Sequence, residues 1–161
     1  MAVAEIIGAA VGVMLLVVVA YLLVGSVITT AEVVSTAQKD LTLQNEARMK
    51  TDFSIYEKRD DGFFIYFNIT NTGNEIISDF DHMDLYSYYD GQDGYQRYKY
   101  DKYNIGTEAG NWSIMKFQDD YVHPRQLDPG EKMWCMAVSS SNSNVWIELV
   151  SGNGVFDSAI L

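Results

Sequence analysis

Hydrophobic and polar positions follow two different periods along the chain. From Ile6 to Ala31 there are 26 consecutive uncharged residues, IIGAAVGVMLLVVVAYLLVGSVITTA. As a helix this run is about 39 Å long, more than the roughly 30 Å hydrocarbon core of a bilayer. After Ala31 the pattern stays helical but turns amphipathic through Gln38, Lys39, Gln44, Arg48 and Lys50. No proline occurs before Pro124, so nothing forces a break. One continuous helix of about 70 Å is expected over residues 2–50.

From Thr51 onward the period becomes two. Asp52–Tyr56, Met83–Tyr88 and Tyr98–Tyr100 alternate, and Phe63–Thr70 is a dense run of β-formers. Lys132–Val138, Val145–Val150 and Val155–Leu161 complete the set. Turn formers separate these runs: Asp60-Asp61-Gly62, Asn71-Thr72-Gly73-Asn74, Asp90-Gly91, Asp128-Pro129-Gly130 and Gly152-Asn153-Gly154. Seven or eight short strands punctuated in this way predict an antiparallel β-sandwich over residues 51–161. The fold class is therefore α+β, a long N-terminal hydrophobic helix (1–50) followed by a sandwich.

Charge sharpens the division. The 161 residues carry a net charge of −11, from 22 acids against 11 bases, and Glu5 is the single charged side chain among the first 31. The remainder therefore holds −10. An acidic body argues against a nucleic-acid partner, which requires a basic footprint. One cysteine, Cys135, excludes an internal disulfide framework, and its place mid-strand between Trp134 and Met136 predicts a buried apolar residue. Two histidines, His82 and His123, leave little for catalysis or metal binding, and no nucleophile elbow, zinc-protease helix, phosphate loop or dinucleotide fingerprint occurs. The expectation is a non-enzyme without metal or cofactor.

A cleavable signal peptide would need a basic start, yet no Lys or Arg precedes Lys39. A plain membrane anchor explains the hydrophobicity but not Glu5, a carboxylate costly in hydrocarbon that calls for a partner or an interface. At a helix N-terminus it also gains from the macrodipole. Gly8 and Gly12 form a GxxxG pair, and with Gly25 they let other helices approach closely. Glu5 ahead of an apolar helix that runs into an amphipathic half resembles the mature N-terminus of class III pilins of type IV filaments. The missing basic start fits, because that family removes a charged leader just before the apolar segment. Met1 is then either the mature residue or an initiator.

Three phrases in the body extend the resemblance: Asn68-Ile69-Thr70-Asn71-Thr72-Gly73 with Ile76 and Ile77 after it, Leu127-Asp128-Pro129-Gly130-Glu131, and Asn153-Gly154-Val155-Phe156-Asp157-Ser158. In this order, behind such a helix, they resemble the β-sandwich of archaellins and of the archaellum accessory proteins that share their fold. The resemblance implies a structural subunit of an archaellum or archaeal type IV pilus, serving motility or adhesion. It would be membrane-inserted before assembly and then polymerised with itself into an extracellular surface filament, with Glu5 paired to a neighbouring amino terminus. Other pilin-like subunits or envelope proteins are further partners. The alternative is a membrane-anchored accessory or stator protein whose sandwich binds the cell envelope.

Asn68-Ile69-Thr70 and Asn111-Trp112-Ser113 are acceptor sequences for an N-linked glycan, the latter expected in a loop. Seven of the eleven tyrosines lie in residues 86–103. Tyr86, Tyr88, Tyr89, Tyr95, Tyr98 and Tyr100 read either as one face of a hairpin or as a contact surface, since a phenol packs its ring while keeping its hydroxyl wet. Asp90-Gly91-Gln92-Asp93-Gly94 reads as a hairpin turn, because it lacks the further ligands of a calcium loop.

Overall fold

The computed structural model describes residues 2–89, 94–103, 106, 108–120, 122–139 and 144–161. The chain divides into two compact units, residues 1–43 and 44–161. Helix α1, Ala2–Lys50, runs unbroken through the first unit and ends in the second. Hydroxyls inside it are satisfied by the helix itself: Thr29 donates to the Gly25 carbonyl at 3.0 Å and Thr30 to that of Ser26 at 2.9 Å. No hydroxyl of this pair would therefore need water in an apolar medium. At the C-terminal end Glu46 and Lys50, one turn apart, pair at 2.6 Å.

Eight strands follow: β1 Phe53–Asp60, β2 Phe64–Asn71, β3 Asp84–Tyr89, β4 Tyr95–Tyr100, β5 Asn111–Gln118, β6 Lys132–Val138, β7 Asn144–Val150 and β8 Phe156–Ile160, with a short 3-10 turn at Phe80–His82. They form one hydrogen-bonded sheet in the order β1-β2-β6-β5-β4-β3-β7-β8. The pairing of β4 with β5 is parallel and short, limited to Lys99 with Asn111 and Tyr100 with Trp112; the other pairings among the described strands are antiparallel. One core cluster takes in Phe67, Ile69, Trp112, Met133 and Cys135 from β2, β5 and β6 together with Leu85, Ile147 and Leu149 from β3 and β7. Phe67 and Trp112 pack at 6.3 Å between ring centroids, and the Trp112 indole N–H donates to the Met83 carbonyl. Burial pushes the Cys135 thiol far above its ordinary pKa, so it stays protonated and apolar.

Alternation identifies seven of the strands and misses β5. There the register shifts between Ile114 and Lys116, and the bulge breaks the period so that Trp112 and Ser113 are both buried while Met115 and Lys116 are both exposed. The expected turn at residues 90–93 lies outside the described residues.

One buried amide closes the end of the sandwich where α1 stops. Asn71, 1% exposed, donates from Nδ2 to the carbonyls of Glu75 and Leu127, both at 2.8 Å, and accepts from the Gly73 N–H at 3.0 Å. Its backbone accepts from Gly130 and donates to Glu131. Replacing Asn71 by Leu keeps the branched shape and strands these partners, so Asn71→Leu is expected to cost about 3 kcal/mol of unfolding free energy. Chemical denaturation of the two proteins checks this, and equal stability would remove the amide from its assigned role.

Candidate functional site

The three phrases that are scattered in sequence converge around Lys50, Thr51 and Asp52. The carbonyl of Lys50 accepts N–H donors from Asn74 and Glu75, at 2.7 and 3.2 Å, and that of Asp52 accepts from Thr72 and Gly73. The bonds to Lys50 satisfy a carbonyl that a helix end leaves without an intrahelical partner. A Cβ on Gly73 would collide with the Asp52 nitrogen and the Lys50 carbonyl, so this close approach requires glycine. From the second phrase, Leu127 and Gly130 hold Asn71 in place. From the third, Asn153 donates to the Thr51 hydroxyl at 2.8 Å, and the Asp157 carboxylate accepts the Ile55 N–H at 2.7 Å. A cleft of about 760 Å³ opens here, walled by Arg48, Asp79, Met83 and Asn153 among others. The phrases thus build a socket around the last turn of α1.

Within the first unit, α1 exposes aliphatic side chains on every side, from Ile6 through Val17 and Leu22 to Ile28. It is long and apolar enough to cross a membrane. Each Leu, Ile or Val contributes about −0.3 to −0.6 kcal/mol to insertion, so the fourteen between Ile6 and Ile28 supply roughly −4 to −8 kcal/mol. That outweighs an acidic residue even at the bilayer centre, about +2.5 to +3.5 kcal/mol, and Glu5 lies in the first turn instead. Gly8 and Gly12 share a face, whereas Gly25 lies about 140° round the axis from Gly12. A Cβ on any of the three would meet nothing within 4 Å. Met1, and with it the chain's own amino terminus, lies outside the described residues.

The tyrosine segment does not present one surface. Tyr98 is fully buried and pairs across the sheet with Leu85, its hydroxyl 3.1 Å from the Ser87 hydroxyl and 3.2 Å from Gln96 Oε1. Burial raises its pKa. Tyr100, two residues on and therefore on the same face, packs against Phe80 and Trp112. The contact-surface expectation is corrected for Tyr98, because the strand period turns it inward and buries it fully, while Tyr100 stays half-buried. Tyr88 and Tyr95 are cross-strand partners on the other face, their rings 5.3 Å apart, and Tyr95 meets Trp146 edge-on at 6.0 Å. Tyr95 is 71% exposed, while Tyr86, Tyr88 and Tyr89 are half-buried.

Neither acceptor asparagine lies in a loop. Asn68 sits on β2 between β1 and β6 and donates to the Glu57 carboxylate at 2.8 Å. Asn111 opens β5 instead of lying in the expected loop, with its amide near Asp101 and Glu108 and with Ser113 buried, donating to the Asp101 carbonyl. Among the described residues no cluster of three acids, histidines or cysteines could hold a metal.

Among solved structures, the chain is similar to the archaellum periplasmic stator protein FlaG from Sulfolobus acidocaldarius, with a TM-score of 0.52 and 21% identity over 69% of this chain and 99% of that one. It is similar also to the periplasmic stator complex of FlaF and FlaG from the same organism, with a TM-score of 0.51 and 19% identity over 68% and 87%. The likeness is one of fold. No family model and no curated protein matches the chain.

The socket residues that sequence reading overlooked are Thr51 and Asp52, which look like an unremarkable helix–strand junction, and Asp79, which pairs with His82. His82 Nδ1 lies 2.8 Å from both Asp79 oxygens, and this hydrogen bond, with the carboxylate charge, raises the imidazole pKa from 6.5. The pair is fully formed below the unfolded value and is lost as pH rises through the raised one. In an NMR titration His82 is expected to have a midpoint above 6.5 that returns toward it in Asp79→Asn. A midpoint that Asp79→Asn leaves unmoved would disprove the pairing.

Proposed function

We propose that this chain is a membrane-anchored accessory component of an archaellum, a stator-like element held in the membrane by α1 with its sandwich facing the cell envelope. The observation that carries the reading is the fold likeness to two periplasmic stator structures, joined to a helix that can span a bilayer. The filament-subunit reading draws on the pilin-like helix and on body phrases that archaellins and accessory proteins share, whereas the two solved structures reported above are stators. They favour the anchored alternative.

The division of labour follows from the geometry. An anchor requires apolar side chains toward lipid, which α1 offers on all sides, and a chain that continues into what it holds. The socket holds the last residue of α1 within the sandwich unit, through backbone hydrogen bonds from Asn74 and Glu75 to the Lys50 carbonyl. The acidic body suits an aqueous envelope space and a partner chosen by surface complementarity. Glycans on Asn68 or Asn111 are part of the proposal only if attached before β2 and β5 pair, since both side chains are engaged in the folded sandwich.

The test is fractionation of cells producing the tagged chain. An anchored element stays in the membrane pellet after alkaline washing, and filaments sheared from the surface lack it. Placing arginine at both Leu16 and Val18 is expected to release it, because each charge at the helix centre costs about 2.5–3.5 kcal/mol. Recovery of the chain as the major band of sheared filaments would reject the anchored reading and restore the filament subunit.

A further inference from the structure

β4 and β5 are paired at only two positions and then part. Past Ser113, β5 is hydrogen-bonded to β6 alone among the described strands, so among the described residues the other side of Ile114–Phe117 is an edge without a strand partner inside the sheet order. The gap is wide enough for Phe80 to lie at its bottom, its ring 5.9 Å from Tyr100 on β4 and 5.9 Å from Phe117 on β5. Above that floor is a cleft of about 440 Å³, within the size range of sites that hold ligands.

The cleft walls carry Lys102, Lys116 and Arg125 against the single acid Asp81. This is a reversal of sign in a chain with twice as many acids as bases. Among the described residues none of the three cations has an ion-pair partner. Lys102 lies over the Tyr103 ring and Lys116 over the Trp134 ring, at 5.8 and 5.5 Å. The nearby Asp120 carboxylate is engaged by the Arg125 backbone N–H rather than by its guanidinium.

We infer that this cleft receives an acidic peptide segment of a partner protein, added in extended form along the open edge of β5. Open edges recruit strands through main-chain hydrogen bonds, and side-chain pockets on alternate positions choose among them. Lysines on an edge deter uncharged strands; three cations facing one acid admit a strand that brings carboxylates. The four residues Ile114–Phe117 span about 13 Å, enough to pair with a segment of about four residues. An anionic sugar would satisfy the cations but leave the strand edge unused, so the edge favours peptide. This assignment goes beyond the anchored reading and stands or falls separately, because its test requires no membrane partition.

The test uses the full-length chain in detergent micelles and a fluorescein-labelled decapeptide of alternating glutamate and valine. Saturable binding is expected, with slowed amide exchange at Ile114–Phe117. Lys102→Gln, Lys116→Gln and Arg125→Gln together should weaken it about tenfold, as three exposed charge contacts are removed. The same peptide N-methylated at alternate residues should lose binding to the unaltered protein, a comparison that depends on no variant. The inference is overturned if the methylated peptide binds equally well, if the three substitutions leave affinity unchanged, or if an oligogalacturonate displaces the peptide at equal concentration without protecting Ile114–Phe117. That last outcome would assign the cleft to acidic sugars. Absence of any peptide binding would overturn it outright.

Discussion

A helix that stops leaves its final carbonyls without partners, and burying such a group unpaired costs on the order of 1–3 kcal/mol. At Lys50 that demand is met by the loop after β2, whose Asn74 and Glu75 N–H groups reach back to its carbonyl. The loop in turn depends on the amide of Asn71, which bridges to Leu127 and fixes the turn before β6. The helix end, the loop after β2 and the turn before β6 are thereby joined by hydrogen bonds.

Much of this architecture is legible in the sequence because burial and alternation coincide there. In β2 every second residue from Ile65 to Asn71 is buried, and the eye finds the strand without help. Where they part company the reading fails. β5 escapes notice because its bulge puts two adjacent side chains inside and two adjacent ones outside, a pattern that belongs to neither period. The tyrosines mislead for a related reason: counting them along the chain suggests one patch, but Tyr95 and Tyr98 are three apart in a strand and so face opposite ways. The socket was visible only as wording. Its phrases could be recognised as marks of a fold, yet nothing in one dimension says that Asn71, Leu127 and Asn153 meet around Thr51.

The helix is the opposite case, fully legible as an element and nearly silent about its neighbours. A segment apolar on every side meets lipid and packed helices equally well, since acyl chains and leucine side chains offer much the same medium. Gly8, Gly12 and Gly25 do not lie on one face, so they define no single seam. The weight of the functional reading therefore rests on the sandwich, whose likeness to stator domains extends over most of the chain.

The outermost strands of the sheet, β1 and β8, come together without a backbone ladder, joined where the Asp157 carboxylate takes the Ile55 N–H. A charge turned inward at such a seam does more than latch it. It occupies a donor that would otherwise offer itself to the backbone of a passing chain, and it puts a negative group where an intruding strand would have to place a carbonyl. That one carboxylate therefore makes the seam between β1 and β8 a poor template for a passing strand.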